Sequence, residues 1–229
     1  RSSSGDAVVT VVPSANATIE GDSSNAIPFS ILGGNTRYQQ VYLSEDIPAG
    51  PLTIYGIAAS RAFRVLWAAR ELGLAYEHVK HHYKGPEIKG PDYLAVHPLG
   101  VVPAIVDDGF ALFESLAINL YLARKAGKLW PGTLQGEGLV YQWTLFASSE
   151  VETPMGQWFY HTTFLPEAER KPEIAADAAT KLPRRLDVVE GALAKRAWLA
   201  DETFTIADLN LAAVLFRAPA FGLDRWPKV

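Results

Sequence analysis

The sequence predicts an α/β half followed by an all-α half, and three observations carry that reading. Short apolar strands alternate with helical periodicity between residues 52 and 126. A hairpin signal, Asp107-Asp108-Gly109, separates two apolar runs. After Trp130-Pro131-Gly132 the strand signals stop while helical ones continue, the pattern of two packed units of different class.

The elements follow in order. Leu52-Thr53-Ile54-Tyr55 reads as a strand ending at Gly56. Residues 60–72 read as a helix with Phe63, Leu66 and Trp67 on one apolar face. Arg61, Arg64, Arg70 and Glu71 supply its polar side, and Gly73 stops it. Residues 76–79 form a second strand, 103–106 and 110–113 the hairpin, and 114–126 a helix ended by Gly127. Residues 137–162, 167–197 and 205–218 read as helices, with Pro154 and Pro183 placed to bend or interrupt the first two.

Residues 1–51 stand apart. They contain no lysine, are rich in Ser, Asn, Thr and Gly, and read as a strand-rich or irregular extension bounded by Ile47-Pro48-Ala49-Gly50-Pro51. Asn16-Ala17-Thr18 fits a glycosylation triplet, a pattern common by chance.

Composition narrows the function classes. With 48% hydrophobic and 20% charged residues, the 229-residue chain is of ordinary globular type. Its net charge of −4 leaves no basic footprint for nucleic acid, and no apolar run is long enough to span a bilayer. The absence of cysteine excludes disulfides, thiolate metal sites and a protein thiol nucleophile, and fits a reducing compartment. No charged-then-apolar leader opens the sequence.

Six motifs stand out, five of them with a chemical or binding reading beside a plainer one. Pro103 follows Val102 where a strand begins, because proline cannot donate to a sheet ladder. A trans bond would make it an ordinary strand start. A cis bond would turn the Val102 backbone outward, free to pair with a ligand as a strand does. Glu114-Ser115 opens a helix, where free N–H groups favour an anion and an acid suits an ammonium; simple capping is the alternative. Ser60, between the first strand and helix, is either a cap or a hydroxyl donor to a thiolate or oxyanion. Thr205 and Asp208 form a capping box with Phe204 and Leu209 at the staple positions, a structural signal. His78, His81 and His82 invite a metal reading, but neighbouring strand residues face opposite ways, and no site is expected there. The aromatics Trp143, Phe146, Trp158, Phe159 and Tyr160 read as helix packing or as the lining of an apolar cleft.

Three stretches in order, YGIAASRAFRVLWAARELGLAYEHV, HPLGVVPAIVDDGFALFESLAI and WLADETFTIADLNLA, resemble the glutathione S-transferase family over residues 52–229. The resemblance implies a thioredoxin-like glutathione-binding domain over 52–128 and an α-helical domain over 134–229. Against the family pattern, the chain is extended at the front and shortened at the back. The resemblance also implies a cis Val102–Pro103 bond, with Val102 and Pro103 at the cysteinyl backbone of glutathione and Glu114 and Ser115 at its γ-glutamyl end. Ser60 matches the thiolate donor of serine-type members, with Tyr55 the fallback. Glutathione is thereby implied as co-substrate, with no metal. The implied activity is conjugation of small apolar electrophiles by a cytoplasmic, detoxifying homodimer without nucleic-acid or membrane partners. The alternative is a non-catalytic module of the same fold that binds a protein partner or apolar ligand. Two departures stand out: Val101 occupies a position where Lys or Gln is frequent, and His97 one where Asn is frequent.

Overall fold

The computed structural model describes residues 51–229; the strand-rich or irregular extension read over 1–51 lies, all but Pro51, outside the described residues, as does the Asn16 triplet. Strand β1 (Leu52–Tyr55) leads into helix α1 (Ala62–Leu72), then β2 (Glu77–Val79), α2 (Pro91–Val96), β3 (Ala104–Asp107), β4 (Phe110–Phe113) and α3 (Ser115–Ala126). The sheet order is β2-β1-β3-β4, with β1 parallel to β2 and the other pairs antiparallel. Alternation along the strands sorts side chains onto two faces. Ile54 and Ile105 join the main core beneath α1 and α3, whereas Tyr55 and Ala104 pack on the opposite face with Ile88, Tyr93 and Val102.

Three sequence expectations shift in this half. Residue 60 lies in a turn, and α1 begins at Ala62, because the Ser60 side chain bonds within its own turn. Pro103 precedes β3 rather than opening it, as its missing N–H cannot enter the ladder. Helix α2 was not anticipated: six residues are too few for a periodic signal, and the helix is held by burial of Tyr93. The two glycine stops are as read: Gly73 (φ 68°) and Gly127 (φ 61°) end α1 and α3 in the left-handed region. The hairpin turn is also as read, with Asp108 and Gly109 both at positive φ.

The second half is helical. Helix α4 (Leu134–Phe146) is capped by Thr133, whose hydroxyl accepts from the Gly136 N–H at 3.1 Å. It runs through a wide π segment (Ala147–Glu152) into α5 (Thr153–Phe159) and a second π segment (Tyr160–Phe164). The expected interruption at Pro154 is thus a change of helical pitch rather than a break. Pro154 has no N–H for the Glu150 carbonyl four residues back, and Arg185 Nε donates to that carbonyl at 2.7 Å. Helix α6 (Pro172–Leu193) carries Pro183 without ending there. The last segment is divided into α7 (Ile206–Leu215) and the short α8 (Ala218–Phe221). The Thr205–Asp208 capping box is present, and α7 is buried nearly throughout, against α4, α3 and α1. The helical half is therefore clamped directly onto the face of α1 that leads back to Ser60.

Candidate functional site

The turn between β1 and α1 is the first part of the site. Gly56 has φ 120°, a backbone state that side-chain-bearing residues rarely adopt. A β-carbon there would lie 2.9 Å from the Cβ atoms of both Ala62 and Val102, so this glycine lets the Ser60 turn close against Val102. The Ser60 hydroxyl donates to the Ile57 carbonyl at 2.7 Å and accepts from the Ala62 N–H at 3.1 Å. In this arrangement Ser60 organises the helix start.

The second part is the segment before β3. The Val102–Pro103 bond is cis. Val102 buries its side chain against Tyr93 and Ile88, while its N–H and C=O form no hydrogen bond with any described residue. The segment is held in place through its neighbours. The Tyr93 hydroxyl donates to the Val101 carbonyl at 2.7 Å, and Lys89 Nζ donates to the Gly100 carbonyl at 2.6 Å. The Tyr93 hydroxyl, desolvated by burial, titrates well above the ordinary tyrosine range.

The third part is the start of α3. Glu114 is its N-cap at φ 74° and ψ 105°, an unusual state for a non-glycine residue, and no side chain caps the first N–H groups. Its carboxylate is exposed and has no ion-pair partner among the described residues. Ser115 beside it is buried, and its hydroxyl accepts from Arg64 Nη1 at 3.3 Å.

Arg64 ties these parts together. It lies one turn beyond Ser60, is only 3% exposed, and donates to both carboxylate oxygens of Glu152 at 3.2 and 3.1 Å. Arg61 adds a 2.6 Å bond to the same carboxylate. Burial alone would raise the Glu152 carboxyl, but the Arg64 hydrogen bonds and the charges of Arg64 and Arg61 outweigh it and hold the group below its ordinary value. A residue of the helical half thereby fixes the arginine that braces Ser115. The reading of Arg64 as part of a polar face is corrected: it is buried with most of α1. Apolar residues on nearly every side of that helix, Val65, Leu66 and Ala68 among them, were the available signal for a buried helix. Glu152, Lys89 and Tyr93 had no such signal.

The remaining sequence candidates divide cleanly. Tyr55 packs edge-on to Tyr93 with ring centroids 5.6 Å apart, on the sheet face that carries Val102. His78 Nε2 lies 2.8 Å from the Gly56 carbonyl, and the His82 ring stacks on Tyr83. Among the described residues, no three His, Cys, Asp or Glu side chains are grouped to hold a metal ion. His97 is buried and stacked on Phe113 at 4.5 Å. Burial pushes its pKa down, although the Glu114 charge opposes that shift. Trp143 packs into the core and Trp158 meets Phe221 edge-on, so those two aromatics are packing residues. Phe159 and Tyr160 instead flank the guanidinium of Arg217.

Residues 50–124 match the glutathione S-transferase N-terminal domain, and residues 153–226 the C-terminal domain. Glutathione S-transferase 3 of Zea mays is 34% identical over 185 residues, spanning 78% of this chain and 81% of that protein. The structure of glutathione S-transferase I from mais in complex with an atrazine glutathione conjugate is similar at a TM-score of 0.70 and 31% identity, covering 79% of this chain and 89% of that one. Elongation factor 1-gamma 3 of Oryza sativa subsp. japonica is 31% identical over 164 residues, 70% of this chain but 39% of that protein. On the fold, the matched domains and these relatives, the chain belongs to the glutathione S-transferase family.

Proposed function

We propose that the chain is a serine-type glutathione transferase, with residues 52–128 as its glutathione-binding unit and 134–229 as its acceptor-binding unit. The observation that carries this reading is the convergence of the β1–α1 turn on Val102 at Gly56 and on Ser115 through Arg64. The unpaired Val102 backbone and Pro103 fit the cysteinyl unit of glutathione as a strand partner. The free N–H groups of α3 and the Ser115 hydroxyl fit its γ-glutamyl carboxylate, and the exposed Glu114 carboxylate fits the ammonium. Lys89, beside Gly100, is placed near the same segment and supplies a cation for the glycyl end that Val101 cannot.

A free thiol has a pKa of about 8.5, so only a few per cent is thiolate at neutral pH. Ser60 turns its O–H from the Ile57 carbonyl to the sulfur and favours the thiolate, whose proton leaves to solvent. The thiolate then attacks the electrophilic carbon of a small apolar acceptor, forming a C–S bond while the carbon's leaving group departs with its bonding pair, chloride in the case of 1-chloro-2,4-dinitrobenzene. The reading includes a cytoplasmic homodimer acting in detoxification, with glutathione as co-substrate and no metal.

Calorimetric titration with glutathione, against S-methylglutathione, tests the site: saturable one-to-one binding per chain is expected, and none by a folded chain overturns the reading. Ser60→Ala should lower turnover of 1-chloro-2,4-dinitrobenzene by roughly tenfold or more with glutathione affinity retained. Unchanged turnover removes Ser60 from the chemistry. One observation favours a second reading, a non-catalytic glutathione-binding module: the Ser60 hydroxyl is already engaged by Ile57 and Ala62. Binding without turnover of several electrophile classes would select it.

A further inference from the structure

Arg217 follows α7 and is a cation that the fold leaves unneutralised. Its guanidinium lies 4.5 Å from the Phe159 ring, 5.7 Å from Tyr160 and 4.4 Å from Phe216. Its Nε is buried without a hydrogen-bond partner, and the group forms no ion pair or hydrogen bond with any described residue. Every other arginine near it is engaged: Arg61 and Arg64 share Glu152, which is thereby saturated by two cations. Burial pushes the Arg217 pKa down, and the charges of Arg64 and Arg61 push in the same direction against Tyr160 and Glu152. An anion placed there would meet an under-neutralised cation between aromatic rings.

Position gives this cation a use. Phe216 packs on Phe63 of α1 at 4.8 Å, so Arg217 stands beside the first turn of the helix that follows Ser60. We infer that Arg217 is a specificity residue for the acceptor substrate, selecting electrophiles that join an aromatic or apolar body to a carboxylate or similar anionic group. The rings of Phe159 and Tyr160 meet the apolar body, and the guanidinium takes the anion in a charge-assisted hydrogen bond. The inference rests on the glutathione reading above and narrows its acceptor from any small apolar electrophile to an anionic one.

The test is calorimetric titration of the full chain and of Arg217→Gln with glutathione, S-benzylglutathione and S-(4-carboxybenzyl)glutathione. Expected for the wild type is a preference of about tenfold for the carboxybenzyl over the benzyl conjugate, the scale of one charge-assisted pair. In Arg217→Gln that preference should vanish, while glutathione and S-benzylglutathione bind within about twofold of wild type. A wild type that does not prefer the carboxylate overturns the inference, whether or not the variant folds. So does a preference that survives in a folded Arg217→Gln, or an equal loss for all three ligands, which would make Arg217 a strut or part of the peptide site. Arg217→Lys, which keeps the charge, should retain part of the preference. Binding of none of the three ligands by the folded wild type overturns the glutathione reading itself, and this inference with it, which distinguishes the two failures.

Discussion

Two helix N-termini of this molecule, those of α3 and α7, face the same electrostatic problem and solve it oppositely. Each has free N–H groups and an acid nearby. At α7 the acid is answered internally. The Asp208 carboxylate accepts from the Thr205 N–H at 2.8 Å, the Thr205 hydroxyl at 2.7 Å and the Leu199 N–H at 2.7 Å, all buried. At α3 the cap residue is Glu114, strained at positive φ, its carboxylate exposed and no side chain bonded to the first N–H groups. The difference separates an acid spent on the fold from one that the fold leaves open. The first has both its oxygens engaged by the fold. The second sits in a costly backbone state with its carboxylate unpaired among the described residues, the opening that the proposed γ-glutamyl contact would use.

The sharpest way to break this comparison is to remove the structural acid. Asp208→Ala strips three hydrogen bonds from a buried carboxylate and should cost about 2–3 kcal/mol in chemical denaturation. Glutathione affinity of the fraction that remains folded should be unchanged. A loss below about 0.5 kcal/mol would mean that the box is ornamental.

Glu152 comes next, because it links the helical half to the α3 terminus through Arg64. Glu152→Gln should destabilise by about 2 kcal/mol, less than a wholly buried pair because the carboxylate is one-fifth exposed. The pH dependence follows from its depressed pKa. Stability from this group is fully present above the ordinary value of 4.5 and is lost as pH falls through the lower folded value. Thermal unfolding between pH 6 and 3 should therefore show a fall that is shallower in Glu152→Gln.

The smallest stability effect is expected at Glu114, the proposed receptor acid. Glu114→Gly relieves the positive φ and should leave stability unchanged or raise it by up to about 1 kcal/mol. Glutathione affinity should nevertheless fall by about tenfold or more, as a charge partner is lost. A variant that is less stable and binds normally would make Glu114 a cap and reverse the comparison.

Most elements were legible because they depend on residues a few positions apart. Gly73 and Gly127 stop helices by admitting left-handed backbone, Asp108-Gly109 makes a hairpin turn, and Thr205 meets Asp208 across three residues. Helix α2 was not, since it depends on burying Tyr93 and Ile88 rather than on a pattern of its own. The same line divides the candidate site. Ser60, Val102, Pro103, Glu114 and Ser115 were named from local chemistry and from the family resemblance. Arg64 was misread, and Glu152, Lys89 and Arg217 were missed, because each acquires its role from a residue far along the chain or from one in a separate element.

By itself, then, the sequence determined where the chain turns, caps and alternates, because those choices are made by backbone sterics and hydrogen bonds within a turn or two. The tertiary structure alone decided that Glu152 binds an arginine 88 residues earlier, that Arg64 is buried against Ser115, and that Arg217 is left among aromatic rings without an anion. Charge–charge partnership and desolvation are properties of distance in space and of water's exclusion, and neither exists until the two halves have packed.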